Sequence, residues 1–322
     1  MDSVSPRRLV VLSGRSHAAL AEAVAAALTL PLGKVELGNF ANGEISCKLG
    51  ESVRGADVFI IQTHGGAIND TIMEQAIMID AARRASAASI TAVCPFMGYA
   101  RQDRKASGRE SIAARLVVDI LATAGADRIM SIDLHSGQIQ GFFDGPFDHL
   151  IAMPILKNYV ADNLPKDAVI VSPDAGRVKM TERYASSLDR GMAIIHKHRS
   201  TEKRNTVEAR YLIGDVKGKT CVLIDDMIDT AGTICAAADL LAERGAKQVY
   251  GVATHGIFSG PALERIKQSA FTKIIVTDTL PVKSSKAGKI EVLSVAPMLA
   301  SAIEAVYERR SVSELFDGKN QI

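Results

Sequence analysis

The apolar run Thr220–Ile224 leads straight into two adjacent carboxylates, Asp225 and Asp226. The small-residue stretch Asp229, Thr230, Ala231, Gly232, Thr233 follows, and a helical pattern begins near Ile234. A strand running through a tight turn into a helix presents backbone N–H groups to an anion at the helix N-terminus, and glycine lets the backbone come close. Thr230 and Thr233 add hydroxyl donors. Two acids would repel a phosphate but suit the hydroxyls of a sugar diol, so the segment reads as a holder for a sugar phosphate. A helix merely capped by Asp229 or Thr230 explains the cap but not the doubled Asp after a buried strand.

Other chemistry-bearing groups also follow apolar runs. Arg101, Gln102, Arg104 and Lys105 come after Ile90–Cys94. Such a cluster suits a polyphosphate, because arginine can bind oxygens bidentately, although a lone charge cluster is more often a solvated loop. Asp133-Leu134-His135 ends the run Ile129–Ile132, and strand alternation predicts the acid and the imidazole on one side. Ser172-Pro173-Asp174 ends Ala168–Val171 in the same manner. His196-Lys197-His198-Arg199 places two cations two residues apart, able to flank one transferring phosphoryl group if the chain is extended. Phe40-Ala41-Asn42-Gly43-Glu44 contains an Asn-Gly pair, by itself only a tight turn. Gly214 to Thr220 looks like a P-loop but has three residues between its glycines and leads into a strand, so the phosphate geometry fails.

The elements that must carry these groups are short β-branched runs alternating with helical patterns such as Ala18–Ala27, Asn69–Ala85, Ser111–Ala124 and Ile234–Arg244. That alternation predicts parallel sheets covered by helices. The 322 residues exceed one ordinary core. Two stretches, 123–135 and 243–256, repeat one pattern of helix, Gly-Ala, then apolar strand, which points to two related α/β halves meeting near Leu150–Pro154. The apolar pattern lapses from His196 to Tyr211, which reads as a mobile loop. Trp is absent and aromatics are 5%, so Ala, Val, Ile and Leu must build the core. A net charge of +2 gives no argument for nucleic acid or membrane as a partner. The four cysteines, 47, 94, 221 and 235, have no paired spacing, and Cys94 and Cys221 in apolar runs read as small hydrophobes. No leader-like or membrane-spanning run is visible, so the cytoplasm is the expected location.

Residues 222–234 resemble the ribose-phosphate diphosphokinase version of the phosphoribosyl diphosphate signature of type I phosphoribosyltransferases. The likeness continues through F-A-N-G-E (40–44), Y-A-R-Q-D (99–103), D-L-H to F-F-D (133–144), S-P-D-A-G (172–176), H-K-H-R (196–199), T-H-G-I-F-S-G-P (254–261) and the C-terminal S-V-S-E-L-F (311–316). It implies two tandem phosphoribosyltransferase-like (type I) domains, each a mainly parallel sheet flanked by helices, over residues 1–150 and 151–299. Residues from about 300 to 322 would return to the first. The implied reaction passes the β,γ-diphosphoryl group of Mg-ATP to the C1 hydroxyl of ribose 5-phosphate.

In that resemblance Asp225 and Asp226 contact the ribose hydroxyls, while Asp229, Thr230, Ala231, Gly232 and Thr233 hold the 5-phosphate. Phe40, Asn42, Gly43, Glu44, Arg101, Gln102 and His135 bind ATP. His135 and Asp174 contact Mg²⁺, with the carboxylate chemically the more natural ligand. Lys197 and Arg199 act on the transition state, Arg199 also meeting the sugar phosphate. The widespread hexameric class further implies a homohexamer regulated by phosphate and ADP through Ser52, Arg54, Arg109, Ser311 and Ser313. Ser111, where Pro is usual, Gly145, Phe147 and the charged segment 200–207 depart from the common pattern and bear on loop kinetics and regulation. A phosphoribosyltransferase would share residues 225–233 but have no use for Arg101 and Gln102. A non-catalytic regulatory homologue would be expected to lose Lys197, Arg199, His135 or the acidic pair, and all are present.

Overall fold

Most of the apolar runs become strands of two largely parallel sheets, because buried strands with helices on their faces need apolar side chains on both sides. The computed structural model describes residues 7–198, 209–282 and 288–316. The chain divides into two units. The first takes residues up to Ile151, Thr279–Pro281 and the chain from Ser294; the second takes Ala152–Asp278 and Val282–Leu293.

In the first unit β1 (Leu9–Ser13), β4 (Asp57–Ile61), β5 (Ser89–Cys94), β6 (Arg128–Ile132) and β7 (Phe147–Leu150) lie side by side in that order, all parallel. Their apolar side chains, including Val10, Leu12, Val58, Ile60, Ala92 and Ile129, share one core with Met78, Ile79 and Ala82 of α2 (Ile68–Arg84) and with Val117, Val118 and Leu121 of α3 (Ala113–Ala124). The helix α1 (Ala18–Ala27) packs on the C-terminal α8 (Ala296–Tyr307). A separate hairpin, β2 (Val35–Asn39) and β3 (Ile45–Leu49), lays Val35, Leu37, Cys47 and Leu49 on this core. Asn42-Gly43 forms its turn, with Gly43 at φ +93°.

The second unit has a seven-stranded sheet in the order β10 (Ala209–Ile213), β9 (Met192–His198), β8 (Val169–Ser172), β11 (Thr220–Ile228), β12 (Gln248–Gly256), β13 (Lys273–Thr277), β14 (Ile290–Leu293). Among the described residues of this sheet only β9 and β10 pair antiparallel. From β8 the chain goes one way to β9, and β11 joins β8 on its other edge. The strand order therefore reverses between β8 and β11, the kind of switch point where α/β sheets bind ligands. Helices α4 (Met153–Asn163), α5 (Val178–Leu188), α6 (Gly232–Glu243) and α7 (Ala262–Gln268) complete the unit.

The repeated Gly-Ala pattern has one cause in both units. Gly125 (φ +121°) and Gly245 (φ +85°) end α3 and α6, and the amides of Ala126 and Ala246 reach back five residues to the Leu121 and Leu241 carbonyls. This is the bonding of a glycine-terminated helix.

Three expectations change. The stretch expected as a loop from His196 to Tyr211 is strand at both ends, because β9 runs to His198 and β10 starts at Ala209. Ladder hydrogen bonds hold this edge pair, with Tyr211 and Ile213 exposed, so apolar periodicity could not mark it. Residues 199–208, and Arg199 with them, lie outside the described residues. The acidic pair sits inside β11, which continues to Ile228 with Met227 opposite His255 of β12. Finally, α6 begins at Gly232, so Gly232 and Thr233 form its first turn.

The returning segment Thr279–Pro281 is held within the first unit by Thr63. Its buried hydroxyl donates to the Thr279 carbonyl (2.6 Å) and accepts from the Phe96 amide (3.1 Å). Thr63→Val keeps the shape and removes both of these hydrogen bonds, so stability should fall by about 1–3 kcal/mol. A urea-unfolding midpoint equal to that of the parent would refute this role for the hydroxyl.

Candidate functional site

In the second unit the residues expected at the sugar phosphate, Arg199 apart, stand in the C-terminal half of β11 and the turn after it, and Asp174, expected at the metal, follows β8 across the switch point. Two neighbouring carboxylates in a buried strand need a countercharge, since an unpaired buried charge is costly. Arg177 supplies it. Its Nε lies 2.9 Å from Asp225 Oδ1 and its Nη2 lies 2.8 Å from Asp226 Oδ1. Arg177 ends the short 3₁₀ turn Ala175–Arg177 that follows β8. Burial, then the neighbouring Asp226 charge, pushes the Asp225 carboxyl well above its ordinary range, and Arg177 opposes that shift. Asp225 retains an 18% exposed side chain against 2% for Asp226. Asp225 is therefore the acid that presents a surface, and Asp226 is held behind Arg177.

The following loop is tied back by its carbonyls. Ile228 O accepts from the amides of Ile257 and Phe258, Asp229 O from Ser259, and Thr230 O from Arg265 Nη1 at 2.9 Å. In a trans peptide the C=O of one residue and the N–H of the next point in opposite directions. With three successive carbonyls held by residues 257–265, the amides of Asp229, Thr230 and Ala231 face the other way. The open N–H groups of the first turn of α6 follow directly. Ala231 adopts a left-handed backbone (φ +58°) to make this turn, strain of the kind that gathers at functional loops. A Cβ on Gly232 would come within 3.3 Å of Arg265 Nη1, so this glycine keeps the loop and its anchor close.

Asp174 also stands at this edge. Its Oδ1 accepts from the Gly176 amide at 2.8 Å, leaving Oδ2 as the oxygen with which it would hold a cation. Among the described residues no three His, Cys, Asp or Glu side chains gather as a metal cage. The donors present thus fit an ion that keeps several waters and shares phosphate oxygens, which is the habit of Mg²⁺.

In the first unit every expected nucleotide segment except the hairpin turn follows the carboxyl end of a strand. The turn Phe40–Glu44 projects from the β2–β3 hairpin, with Phe40 60% exposed and the Glu44 amide donating to Asn42 Oδ1. Arg101 and Gln102 are exposed in the loop after β5, where the Gln102 amide donates to Tyr99 O (2.8 Å) and Tyr99 is left-handed. Asp133 is buried and His135 half-buried. The expectation that alternation orients these two fails, because β6 ends at Ile132 and Asp133 turns the chain with φ +39°. That turn is fixed instead by His149 of β7, whose Nε2 accepts from the Leu134 amide at 2.9 Å. Ser52, Arg54, Arg109, Ser311 and Ser313 are all exposed on this unit.

The sequence reading did not single out Arg177, Arg265, His149 or His64. His64 is wholly buried at the end of β4; its Nδ1 accepts from the Gly98 amide (3.1 Å) and its Nε2 meets Gln75 Oε1 (2.8 Å). None of the four stands in a periodic pattern that marks a role. Only Gln75, sharing an apolar helix stripe with Ile79 and Ala82, carries a signal.

Comparison with known proteins gives a consistent result. Residues 9–125 match the model for the N-terminal domain of ribose phosphate pyrophosphokinase, and residues 210–317 match that for the phosphoribosyl synthetase-associated domain. A ribose-phosphate pyrophosphokinase of Bifidobacterium longum is 53% identical over 316 residues, covering 97% of this chain and 93% of its own. That of Streptomyces avermitilis is 53% identical, covering 97% of each. The crystal structure of phosphoribosylpyrophosphate synthetase from Mycobacterium smegmatis superposes with a TM-score of 0.88 at 50% identity, covering 94% of this chain and all of that one.

Burial lowers the His64 pKa from 6.5 to about 4. A folded-state value below the unfolded one means that stability is full above pH 6.5 and is lost as pH falls toward 4, where the unfolded chain binds the proton first. The loss should reach on the order of 3 kcal/mol. Denaturant titrations between pH 7 and 4 should show this slope, and His64→Gln should remove it. An unchanged slope in the variant would mean that other groups cause the acid sensitivity.

Proposed function

The chain belongs to the ribose-phosphate pyrophosphokinase family, and from that premise we propose how its residues divide the work of making phosphoribosyl diphosphate and AMP from ribose 5-phosphate and ATP. The observation that carries the division is the loop 229–233, its carbonyls tied back and its amides turned outward beside a carboxylate pair.

The 5-phosphate sits on the amides of Asp229, Thr230, Ala231, Gly232 and Thr233, where the N-terminal dipole of α6 also favours an anion. Asp225 accepts from a ribose hydroxyl, and Asp226 joins it where Arg177 yields. Phe40 packs on the adenine, and Asn42, Gly43 and Glu44 read its polar edge. Arg101 and Gln102 hold phosphate oxygens. Mg²⁺ would supply charge neutralisation to the ATP phosphates; in the second unit Asp174 is the residue that would hold it, and in the first His135 would contact Mg-ATP.

The C1 hydroxyl attacks the β-phosphorus in line and AMP leaves, so no covalent bond to the protein is needed. The protein aligns two anionic substrates and stabilises charge on the transferred group. Lys197, on β9 opposite Arg210, and Arg199 just beyond it provide that stabilisation. Phosphate and ADP act as effectors through Ser52, Arg54, Arg109, Ser311 and Ser313 of a homohexamer working in the cytoplasm.

Purified protein given ribose 5-phosphate and Mg-ATP should release AMP and phosphoribosyl diphosphate in equal amounts. Lys197→Ala should lower turnover about 100- to 1,000-fold, the usual scale for losing one transition-state contact, with substrate affinity little changed. Unchanged turnover would remove Lys197 from the mechanism, and no product from the folded parent would favour a non-catalytic role. Arg54→Ala should abolish ADP inhibition and phosphate activation together, and full retention of both would place the effector site elsewhere.

A further inference from the structure

Two adjacent residues of α2, Glu74 and Gln75, are polar and almost wholly buried. Each begins a chain of hydrogen bonds, and the two chains end on different nucleotide segments. Glu74 Oε1 accepts from the Arg15 amide (2.7 Å) and from Gln62 Nε2 (2.8 Å), while Glu74 Oε2 pairs with Arg15 Nε. The far end of the same guanidinium, Nη1, donates to Asn39 Oδ1 (2.7 Å), and Asn39 Nδ2 donates to Gly43 O (3.0 Å). A buried carboxylate is thus connected to the turn that bears Phe40, Asn42 and Glu44. Gln75 Nε2 is fixed by the Ile60 and Val93 carbonyls, its Oε1 meets His64 Nε2, and His64 Nδ1 holds the Gly98 amide at the start of the loop bearing Arg101 and Gln102.

We propose that Glu74 and Gln75, acting through Arg15–Asn39 and through His64, are positioning residues for ATP that set the hairpin turn and the 98–102 loop from one rigid helix. The proposal rests on the reading that these two segments bind the nucleotide. Its physical basis is that Val35, Leu37, Met97 and Ala100 pack on the core, whereas the exposed ends of both segments, with Asn42, Arg101 and Gln102, stand beyond it. Phe40 is exposed and Asn39 lies at the surface. A guanidinium fork can satisfy a buried carboxylate with one edge and a distant amide with another, which an ammonium cannot do.

Arg15→Lys keeps the charge beside Glu74 but loses the arm to Asn39, and Asn39→Ala cuts the same link at the surface without opening a cavity. Each should raise the KM for ATP about ten- to a hundred-fold, the scale of a small misplacement of binding groups. The KM for ribose 5-phosphate and the thermal midpoint should stay close to those of the parent. The Arg15→Lys/Asn39→Ala double variant should be no worse than either single one, since both break one chain. Gln75→Leu should also raise the KM for ATP, and its effect should multiply with that of Arg15→Lys, because the chains are independent. Should Gln75→Leu fail to fold, the two surface-arm variants and their cycle decide the matter alone. Phe40→Ala separates the two levels. If it leaves the KM for ATP unchanged, the turn does not bind nucleotide and the proposal falls with that reading. If it raises that KM while Arg15→Lys and Asn39→Ala do not, or if they raise both KM values equally, the reading stands and the positioning role is overturned.

Discussion

Asp225 and Asp226 occupy a central strand of a sheet covered by helices, and two acids buried there need a cation held against both. Arg177 meets that demand with two edges of one guanidinium. It can do so because β8 and β11 are neighbours, so that the short turn leaving β8 passes over the end of β11. Sheet order, the Ser172-Pro173-Asp174 turn and the charge state of the acidic pair are therefore one linked arrangement. Burial and the neighbouring charge of Asp226 still push the Asp225 carboxyl well above its ordinary range, and Arg177 opposes that shift only in part.

The same economy governs the phosphate loop. Three of its carbonyls are anchored to residues 257–265, Arg265 among the anchors, while Ala231 and the flanking Ile228 and Ile234 pack in the core. The block 254–261, which resembles its family without an evident role in the sequence, thereby acquires one: it turns the loop amides outward. In the first unit His149, His64 and Arg15 do comparable work on the D-L-H turn, the 98–102 loop and the hairpin. Polar side chains at strand ends hold these segments in addition to the apolar contacts that Leu134, Met97 and Ala100 make with the core.

Much of this was legible beforehand because it is local. The inner strands announce themselves as β-branched runs, α1 begins and ends where its pattern does, and Gly125 and Gly245 close their helices as glycine should. The strand–turn–helix around residues 220–243 needs only neighbouring residues to be understood. The far end of β9 and the edge strand β10 were not legible, since a ladder of backbone bonds leaves no apolar period where side chains such as Tyr211 and Ile213 face solvent. Nor was the orientation of Asp133, which depends on a left-handed turn fixed by His149, fifteen residues beyond Leu134.

By itself, then, the sequence determined the α/β class, the strands that would carry chemistry, the family and the reaction, because those follow from local periodicity and contiguous motifs. The tertiary structure alone decided which strands are neighbours, where the sheet order reverses, and that Arg177 rather than solvent faces the acidic pair. It also decided that Glu74 and Gln75 point into the protein toward two separate loops. These are pairings between residues 11 to 59 positions apart, or between polar groups buried away from any pattern. No local rule contains them, because the cost of burying a charge or an amide is set by whatever the fold brings against it.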